Sequence, residues 1–281
     1  MAQAKTQLLT RPVPRTTERL PAIGLGTWQT FDVGKGADER AGLKDVLRML
    51  VEQGASVIDS SPMYGRAEGV VGDLAAELGL HASLFLATKV WTRGEQAGIA
   101  QMEDSFRLLR ARRIDLMQVH NLVDWKTHLR TLQRWKEQGR LRHIGVTHYH
   151  SGAFDDLMAA LRTREFDFAQ FNYSMAEREA DERLLPLCEE LGIGVLVNRP
   201  FSQGELFPRV KGKPLPAWAA ELDCASWAQF FLKWIVGHPA VTCAIPGTGR
   251  VTHLNDNLGA ARGRLPDRAT RRKMLAYLQA L

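Results

Sequence analysis

Along the chain, short apolar runs alternate with longer stretches whose apolar residues recur every three or four positions. The short runs fall at 23–26, 56–60, 84–90, 114–120, 143–149, 167–173, 194–200 and 241–246. The longer, helix-like stretches follow them at 39–53, 68–78, 99–112, 125–138, 153–162, 177–191, 225–236 and 253–262. Several runs are apolar without interruption, as in Val57-Ile58 and Gly194-Val195-Leu196-Val197. Such runs suit strands covered on both faces by helices, as in a parallel sheet. Eight strand–helix pairs in regular succession predict an α/β protein of the closed (β/α)8 barrel type rather than an open doubly wound sheet.

Three stretches stand outside this repeat. Residues 7–21 place turn residues at 14–17 between two β-prone pieces, which predicts a small hairpin closing the bottom of the barrel. Residues 201–224 form a long connection containing Pro and Gly, and loops of that length in a compact domain are usually functional. Residues 268–281 read as one extra C-terminal helix. A length of 281 residues suits one barrel domain spanning the chain.

Composition adds little to the fold but narrows the function classes. Hydrophobic residues make up 45% and charged residues 24%, which excludes a disordered or low-complexity chain. The net charge of +6 fits an anionic ligand or simple solubility. The densest basic groups, Arg110, Arg112 and Arg113 and then Arg271, Arg272 and Lys273, fall at helix ends and read as solvated faces. They form no stripe for nucleic acid. Three scattered cysteines, Cys188, Cys224 and Cys243, argue against a disulfide framework and suit a reducing compartment. Residues 1–30 hold no apolar segment of signal-peptide length, and no stretch is long enough to span a membrane, so the expectation is a cytoplasmic protein.

In a barrel of this kind the reacting groups gather where strands end and loops begin. Asp59 closes the second strand and Tyr64 follows in its loop, within Asp59-Ser60-Ser61-Pro62-Met63-Tyr64. Lys89 lies near the end of the third strand and His120 closes the fourth. Tyrosine ionises near ~10, so it is a proton donor at neutral pH, and a lysine cation beside it favours the phenolate. Asp59 can supply the counter-charge that keeps Lys89 protonated in a partly dry site. His120 can orient a substrate carbonyl and share the proton. No electron source is among these groups, which implies a bound hydride donor.

Taken singly, each residue has a plainer reading. Asp59 and Lys89 could be an ion pair stapling two strands, Tyr64 a packing residue, and His120 a satisfied core histidine. The ordered combination is what favours chemistry, and it resembles the aldo-keto reductases. The likeness runs from Gly24-Leu25-Gly26-Thr27-Trp28 to Ala244-Ile245-Pro246-Gly247-Thr248 and on to Asn257, nearly the whole chain. It implies that Asp59, Tyr64, Lys89 and His120 form a catalytic tetrad. It also implies that NADPH, the NADP(H) cofactor, lies across the barrel mouth and delivers hydride to a small-molecule carbonyl substrate, in a monomer.

The same resemblance assigns a cofactor site around Gly26, Thr27, Trp28 and Asp59, with Gln170 matching a carboxamide-binding glutamine. Thr147-His148 stands where a Ser-Asn pair is usual. The aromatic that normally stacks on nicotinamide falls near Val197-Asn198-Arg199-Pro200, where Asn198, Arg199 and Pro200 stand instead; an Arg guanidinium can stack on a planar ring. Gly247, Thr248 and Gly249 can bring backbone amides to a phosphate at a helix N-terminus. A lysine common at the position of Gly247 is missing, and Arg250 and His253 could replace it at the 2′-phosphate, with Asn257 at the adenine. Trp28, Phe31, Met63 and Trp91 would wall the carbonyl pocket. Short connections around it imply an open, permissive site.

Bland alternatives accompany these assignments too. Gln170 could satisfy groups inside the barrel, Thr248 could cap a helix, Asn257 could bond a neighbouring loop, and Trp28 and Trp91 could be core. Arg199 could pair with a carboxylate such as Glu205. Two other function classes remain. His143, His148 and His150, with His120 nearby, could serve a metal-dependent hydrolase. A binding or regulatory protein that senses the cofactor would keep the barrel and the cofactor but have little turnover.

Overall fold

The structure, a computed structural model, describes residues 7–281; the part of the 1–30 reading that falls on residues 1–6 lies outside the described residues. Eight parallel strands follow one another in the sheet: β3 (Leu25–Gly26), β4 (Val57–Asp59), β5 (Phe85–Val90), β6 (Ile114–Val119), β7 (Leu141–Thr147), β8 (Phe168–Asn172), β9 (Gly194–Asn198) and β10 (Cys243–Ala244). Bridges Ile23–Ala244 and Gly26–Gly247 join the first strand to the last and close the barrel. The outer ring is α1 (Ala37–Glu52), α2 (Ala67–Leu78), α3 (Glu95–Leu108), α4 (Trp125–Glu137), α5 (Phe154–Leu161), α6 (Leu184–Leu191), α8 (Trp227–Val236) and α9 (Val251–Gly259). The short α7 (Leu206–Val210) lies in the long connection, and α10 (Arg268–Gln279) is the extra C-terminal helix.

The helices take this place because of where their apolar residues fall. In α1 the buried set Leu43, Val46, Leu47 and Leu50 recurs at i, i+3, i+4 and i+7, one stripe of a 3.6-residue period. Burying each such side chain contributes about 1.5–3 kcal/mol. Leu47→Ala would remove the middle of the stripe at about 2–5 kcal/mol.

Inside the barrel the two-residue period of the strands sorts side chains by height. A lower layer is apolar: Val57, Phe85, Ala87, Leu116, Phe168, Leu196 and Cys243 form one cluster. One inward step further along the same strands stand Asp59, Lys89, Gln118, Gln170 and Asn198. On these five strands the sequence thus switches from apolar to polar at one level, and the polar level faces the loops that follow the strands.

The predicted hairpin is present as β1 (Thr10–Pro12) and β2 (Arg19–Pro21), paired antiparallel. Its turn uses Arg15 in the left-handed region and the bond from the Val13 amide to the Glu18 carbonyl at 2.8 Å. Val13 and Leu20 from this hairpin join the inner apolar cluster, and Glu18 accepts bonds from Arg142 and His143 of β7. The hairpin therefore plugs the bottom, as the sequence implied.

Four elements differ from the sequence reading. The helix expected over 177–191 begins only at Leu184, after a short 3-10 turn at Glu179–Asp181. Pro186 lacks an amide hydrogen and is tolerated only in a first turn, which fixes the start there. Strand β7 runs Leu141–Thr147 rather than 143–149, so His148 and His150 lie beyond it. Helix α3 starts at Glu95, four residues before its first apolar periodic position, because its first turn is polar and carries a favourable acid. The connection 201–224 is not open loop: α7 and the 3-10 turn Ala217–Leu222 bury Leu206, Val210, Ala219 and Leu222.

Candidate active site at the barrel mouth

Asp59, Lys89, Gln118 and Gln170 meet because they occupy the same inward level on four strands. The Lys89 Nζ donates to Asp59 Oδ2 at 2.6 Å and to the Ser60 carbonyl at 2.7 Å. The other carboxylate oxygen of Asp59 accepts from Gln170 Nε2 at 2.9 Å and Gln118 Nε2 at 3.3 Å. Asp59 and Lys89 are both buried, so this is a desolvated ion pair in which both carboxylate oxygens accept a hydrogen bond. Burial alone would lower the lysine's pKa, yet the adjacent carboxylate outweighs it and holds the group above its ordinary value.

Tyr64 arrives from the loop after β4, in a turn where its amide donates to the Ser61 carbonyl at 3.0 Å. The Lys89 ammonium stands 5.2 Å from the centre of its ring. Burial raises the phenol above its ordinary value, and Lys89 only partly pulls it back. Lys89 acts in the direction the sequence implied, but desolvation outweighs that pull, so the resting group is the neutral phenol. That is the form a proton donor requires.

His120 lies beside both, its ring edge-on to Tyr64 at 6.1 Å between centres and tilted to Trp91 at 6.2 Å. Desolvation, then the charge of Lys89, pushes its pKa down to about 2. Both effects favour the neutral imidazole, which can donate or accept a hydrogen bond to a substrate carbonyl.

Of the proposed pocket wall, Trp28, Met63 and Trp91 are 43%, 40% and 42% exposed, so large apolar surfaces do face the mouth rather than the core. Phe31 does not: it is 0% exposed, packed in the core cluster, and leaves that wall. Cavities of about 270 and 140 Å³ lie elsewhere, one between residues 217–222 and α10, the other at the barrel's bottom. Neither is lined by Asp59, Tyr64, Lys89 or His120.

The residues assigned to the cofactor divide into those free to bind and those already engaged. Gly26 pairs with Gly247 at the closing seam, where a Cβ would stand 2.7 Å from the Ile245 carbonyl oxygen. Thr27 is buried, its hydroxyl bonded to the Asp59 carbonyl and Ser60 Oγ, both at 3.0 Å. Gln170 is spent on Asp59 and accepts from Thr147 Oγ1 at 3.3 Å, which is the interior role weighed for it. Arg199 has positive φ and donates to the Tyr149 carbonyl at 3.1 Å. Its ion-pair partner is Glu177 at 3.8 Å rather than Glu205. Pro200 and Asn257 are buried. Asn198 reaches the His148 carbonyl at 3.5 Å.

Two features fit a dinucleotide. Helix α9 starts at Val251 with no side-chain cap on its amides, and the exposed side chains of Arg250 and His253 have no protein partners among the described residues. Exposed Gly247 and the turn held by Thr248 Oγ1, which accepts from the Arg250 amide at 3.1 Å, leave that end open to an anion. At the strand ends, Asn198 Oδ1, Asn172 Oδ1 and His148 Nδ1 are buried acceptors with no partner. A ligand carrying N–H or O–H donors would satisfy such atoms.

The histidines of the hydrolase alternative do not gather as one set: His148 and His150 lie 4.8 Å apart, ring centre to ring centre, but among the described residues no group of three or more His, Cys, Asp or Glu could hold a metal ion. His143 sits at the bottom, bonded to Glu18 Oε2 at 2.8 Å and packed against Phe168, while His150 caps the 3-10 turn Ser151–Ala153. Arg271, read as a solvated charge, is instead buried, donating to the Trp234 carbonyl at 2.8 Å and to the Tyr173 hydroxyl. Gln118 and Ser61 were missed from the sequence. Gln118 is two positions before His120 and so shares its face, a signal that was there to be read. Ser61 sits in an aperiodic loop that gives no such signal.

Comparison with known proteins agrees with this geometry. Residues 22–272 match the model of the Aldo/keto reductase family. Methylglyoxal reductase YeaE of Escherichia coli is 30% identical over 245 residues, covering 85% of this chain and 84% of that protein. The aldo-keto reductase from Klebsiella pneumoniae in complex with NADPH superposes with a TM-score of 0.78 at 25% identity, covering 98% of this chain and 94% of that one. The aldo-keto reductase AKR11C1 from Bacillus halodurans gives 0.74 at 20% identity, over 97% and 96% of the two chains. With a family match over most of its length and a barrel that carries Asp59, Tyr64, Lys89 and His120 at one mouth, this chain belongs to the aldo/keto reductase family.

Proposed function

We propose that the protein reduces an aldehyde or ketone to an alcohol, with NADPH as cofactor and Tyr64 as general acid. The observation that carries this reading is the buried Lys89–Asp59 pair set beside the rings of Tyr64 and His120, with the Lys89 ammonium 5.2 Å from the centre of the Tyr64 ring. Bound NADPH supplies the hydride. Tyr64 holds the proton that the developing alkoxide takes, and the Lys89 cation stabilises the phenolate left behind. Asp59 keeps Lys89 charged, with Gln118 and Gln170 fixing the carboxylate. His120 orients the carbonyl by a hydrogen bond. Trp28, Met63 and Trp91 cover the substrate's apolar part and exclude water.

Gly247, Thr248, Arg250 and His253 would hold the cofactor's phosphates at the start of α9, with Asn257 at the adenine. His148, Asn198 and Arg199, over buried Thr147 and Pro200, would meet the nicotinamide end. The NADPH complex of the Klebsiella relative supports this choice of cofactor, and the methylglyoxal reductase supports a small carbonyl substrate. We take the chain to act as a single barrel domain and a monomer in the cytoplasm, acting on small molecules rather than nucleic acid; among the described residues no helix is long and apolar enough to cross a membrane.

The test is a tryptophan-fluorescence titration with NADPH and NADH, followed by turnover of aldehydes by Tyr64→Phe. Tight NADPH binding that survives in the variant, with a loss of about 10²–10⁴ in kcat, is the expected result. Absence of binding to either nucleotide would sink the proposal. A wild-type protein that binds NADPH but reduces nothing would instead mark a cofactor sensor.

A further inference from the structure

We propose that Ser61 is a positioning residue that holds His120 in its Nε2–H tautomer, so that the ring presents a hydrogen-bond donor to the substrate carbonyl. The proposal rests on the reductase reading of the mouth. Its geometry begins with the turn after β4. Ser61 is buried, and the same turn that bonds its carbonyl to the Tyr64 amide brings its Oγ to 3.1 Å from His120 Nδ1. That Oγ also accepts the Met63 amide hydrogen at 3.3 Å. Among the described residues these are its only partners.

A serine hydroxyl has one hydrogen to give. With Met63 already supplying a donor, the hydroxyl hydrogen needs an acceptor, and His120 Nδ1 is the one within reach. If Nδ1 carried its own hydrogen instead, two donors would face one oxygen and the buried O–H would go unmet. Leaving such a group unpaired disfavours that tautomer by about tenfold to a hundredfold. Protonating both nitrogens is opposed by burial and by Lys89. The Nε2–H then has no protein acceptor among the described residues, and the ring that carries it stands 6.1 Å from that of Tyr64 and 6.2 Å from that of Trp91, centre to centre. Tyr64 transfers the proton, and His120 contributes a hydrogen bond and no proton.

The test is a long-range ¹H–¹⁵N spectrum of the histidine rings in the protein without nucleotide, assigned with His120→Asn, from pH 5 to 9. An imine-type Nδ1 and a protonated Nε2 across the whole range are expected, with both signals moving toward an averaged tautomer in Ser61→Ala. In that variant kcat should fall about tenfold to a hundredfold while the Kd for NADPH stays within about twofold. A protonated Nδ1 in the wild type overturns the proposal, as does a Ser61→Ala protein with the wild-type tautomer and kcat. Should Ser61→Ala not fold, the wild-type spectrum decides alone. A protein that binds no NADPH would end the reductase reading, and the spectrum would still report on the tautomer.

Discussion

Lys89 has to remain charged where water cannot reach it, and every donor around Asp59 serves that end. Removing Lys89 leaves a carboxylate in the barrel with two amide donors and no cation. Breaking one side of a buried pair costs about 3–5 kcal/mol. Lys89→Met should therefore lose both activity and about that much stability in urea denaturation. Asp59→Asn with Lys89→Met should regain much of the stability and none of the activity. A single variant as stable as the wild type would show that the pair is solvated and the electrostatic account mistaken. His120 gives a second residue-level test. Its folded pKa of about 2 lies below the ordinary value of ~6.5, so the unfolded chain binds a proton that the fold refuses. Stability present above pH ~6.5 is then lost as pH falls, by about 1.4 kcal/mol per pH unit. Between pH 7 and 5 the wild type should lose about 2 kcal/mol more than His120→Asn. His238, pushed to about 4 by burial, acts alike in both proteins, so the difference isolates His120. Parallel urea curves would refute it.

At the scale of elements, the proposed function puts cofactor choice at the start of α9. Its uncapped first turn suits an anion of any kind, whereas Arg250 would add charge, and His253 a hydrogen bond, only where a 2′-phosphate reached them. Arg250→Ala should weaken NADPH about 10- to 100-fold and leave NADH nearly unchanged, as read by fluorescence titration. Equal weakening of both nucleotides would place Arg250 on the shared pyrophosphate. The strands and helices that carry the site were legible because the apolar period marks them: the set Leu43, Val46, Leu47, Leu50 announces α1, and the run Gly194 to Val197 announces β9. What escaped lacked a period. The polar first turn of α3, the proline-set start of α6 and the turn holding Ser61 are fixed by local chemistry and tertiary contact. Phe31 and Arg271 were misread for a related reason, since residue type alone does not say which face of a loop or helix end is covered.

For the whole molecule, the apolar plug below and the polar ring above divide the work. Val13 and Leu20 of the hairpin close the lower apolar layer, whose Ala87 and Phe168 lie one inward step beneath Lys89 and Gln170 along their strands. A barrel whose chemistry depended on the entire core would lose activity with any packing defect. Here the reacting groups are held by their own bonds: Asp59 by Lys89, Gln118 and Gln170, His120 by Ser61, and Tyr64 by its turn. Leu20→Ala should thus cost about 2–5 kcal/mol, most of it from the cavity left under Phe85 and Phe168, and lower the thermal midpoint accordingly. Its kcat and NADPH affinity, measured well below that midpoint, should stay within about twofold of the wild type, because a cavity several side chains away shifts the upper ring by little. If kcat instead fell with stability, the plug would be setting the height of the Lys89–Asp59 pair, and the lower layer would belong to the active site as much as the mouth does.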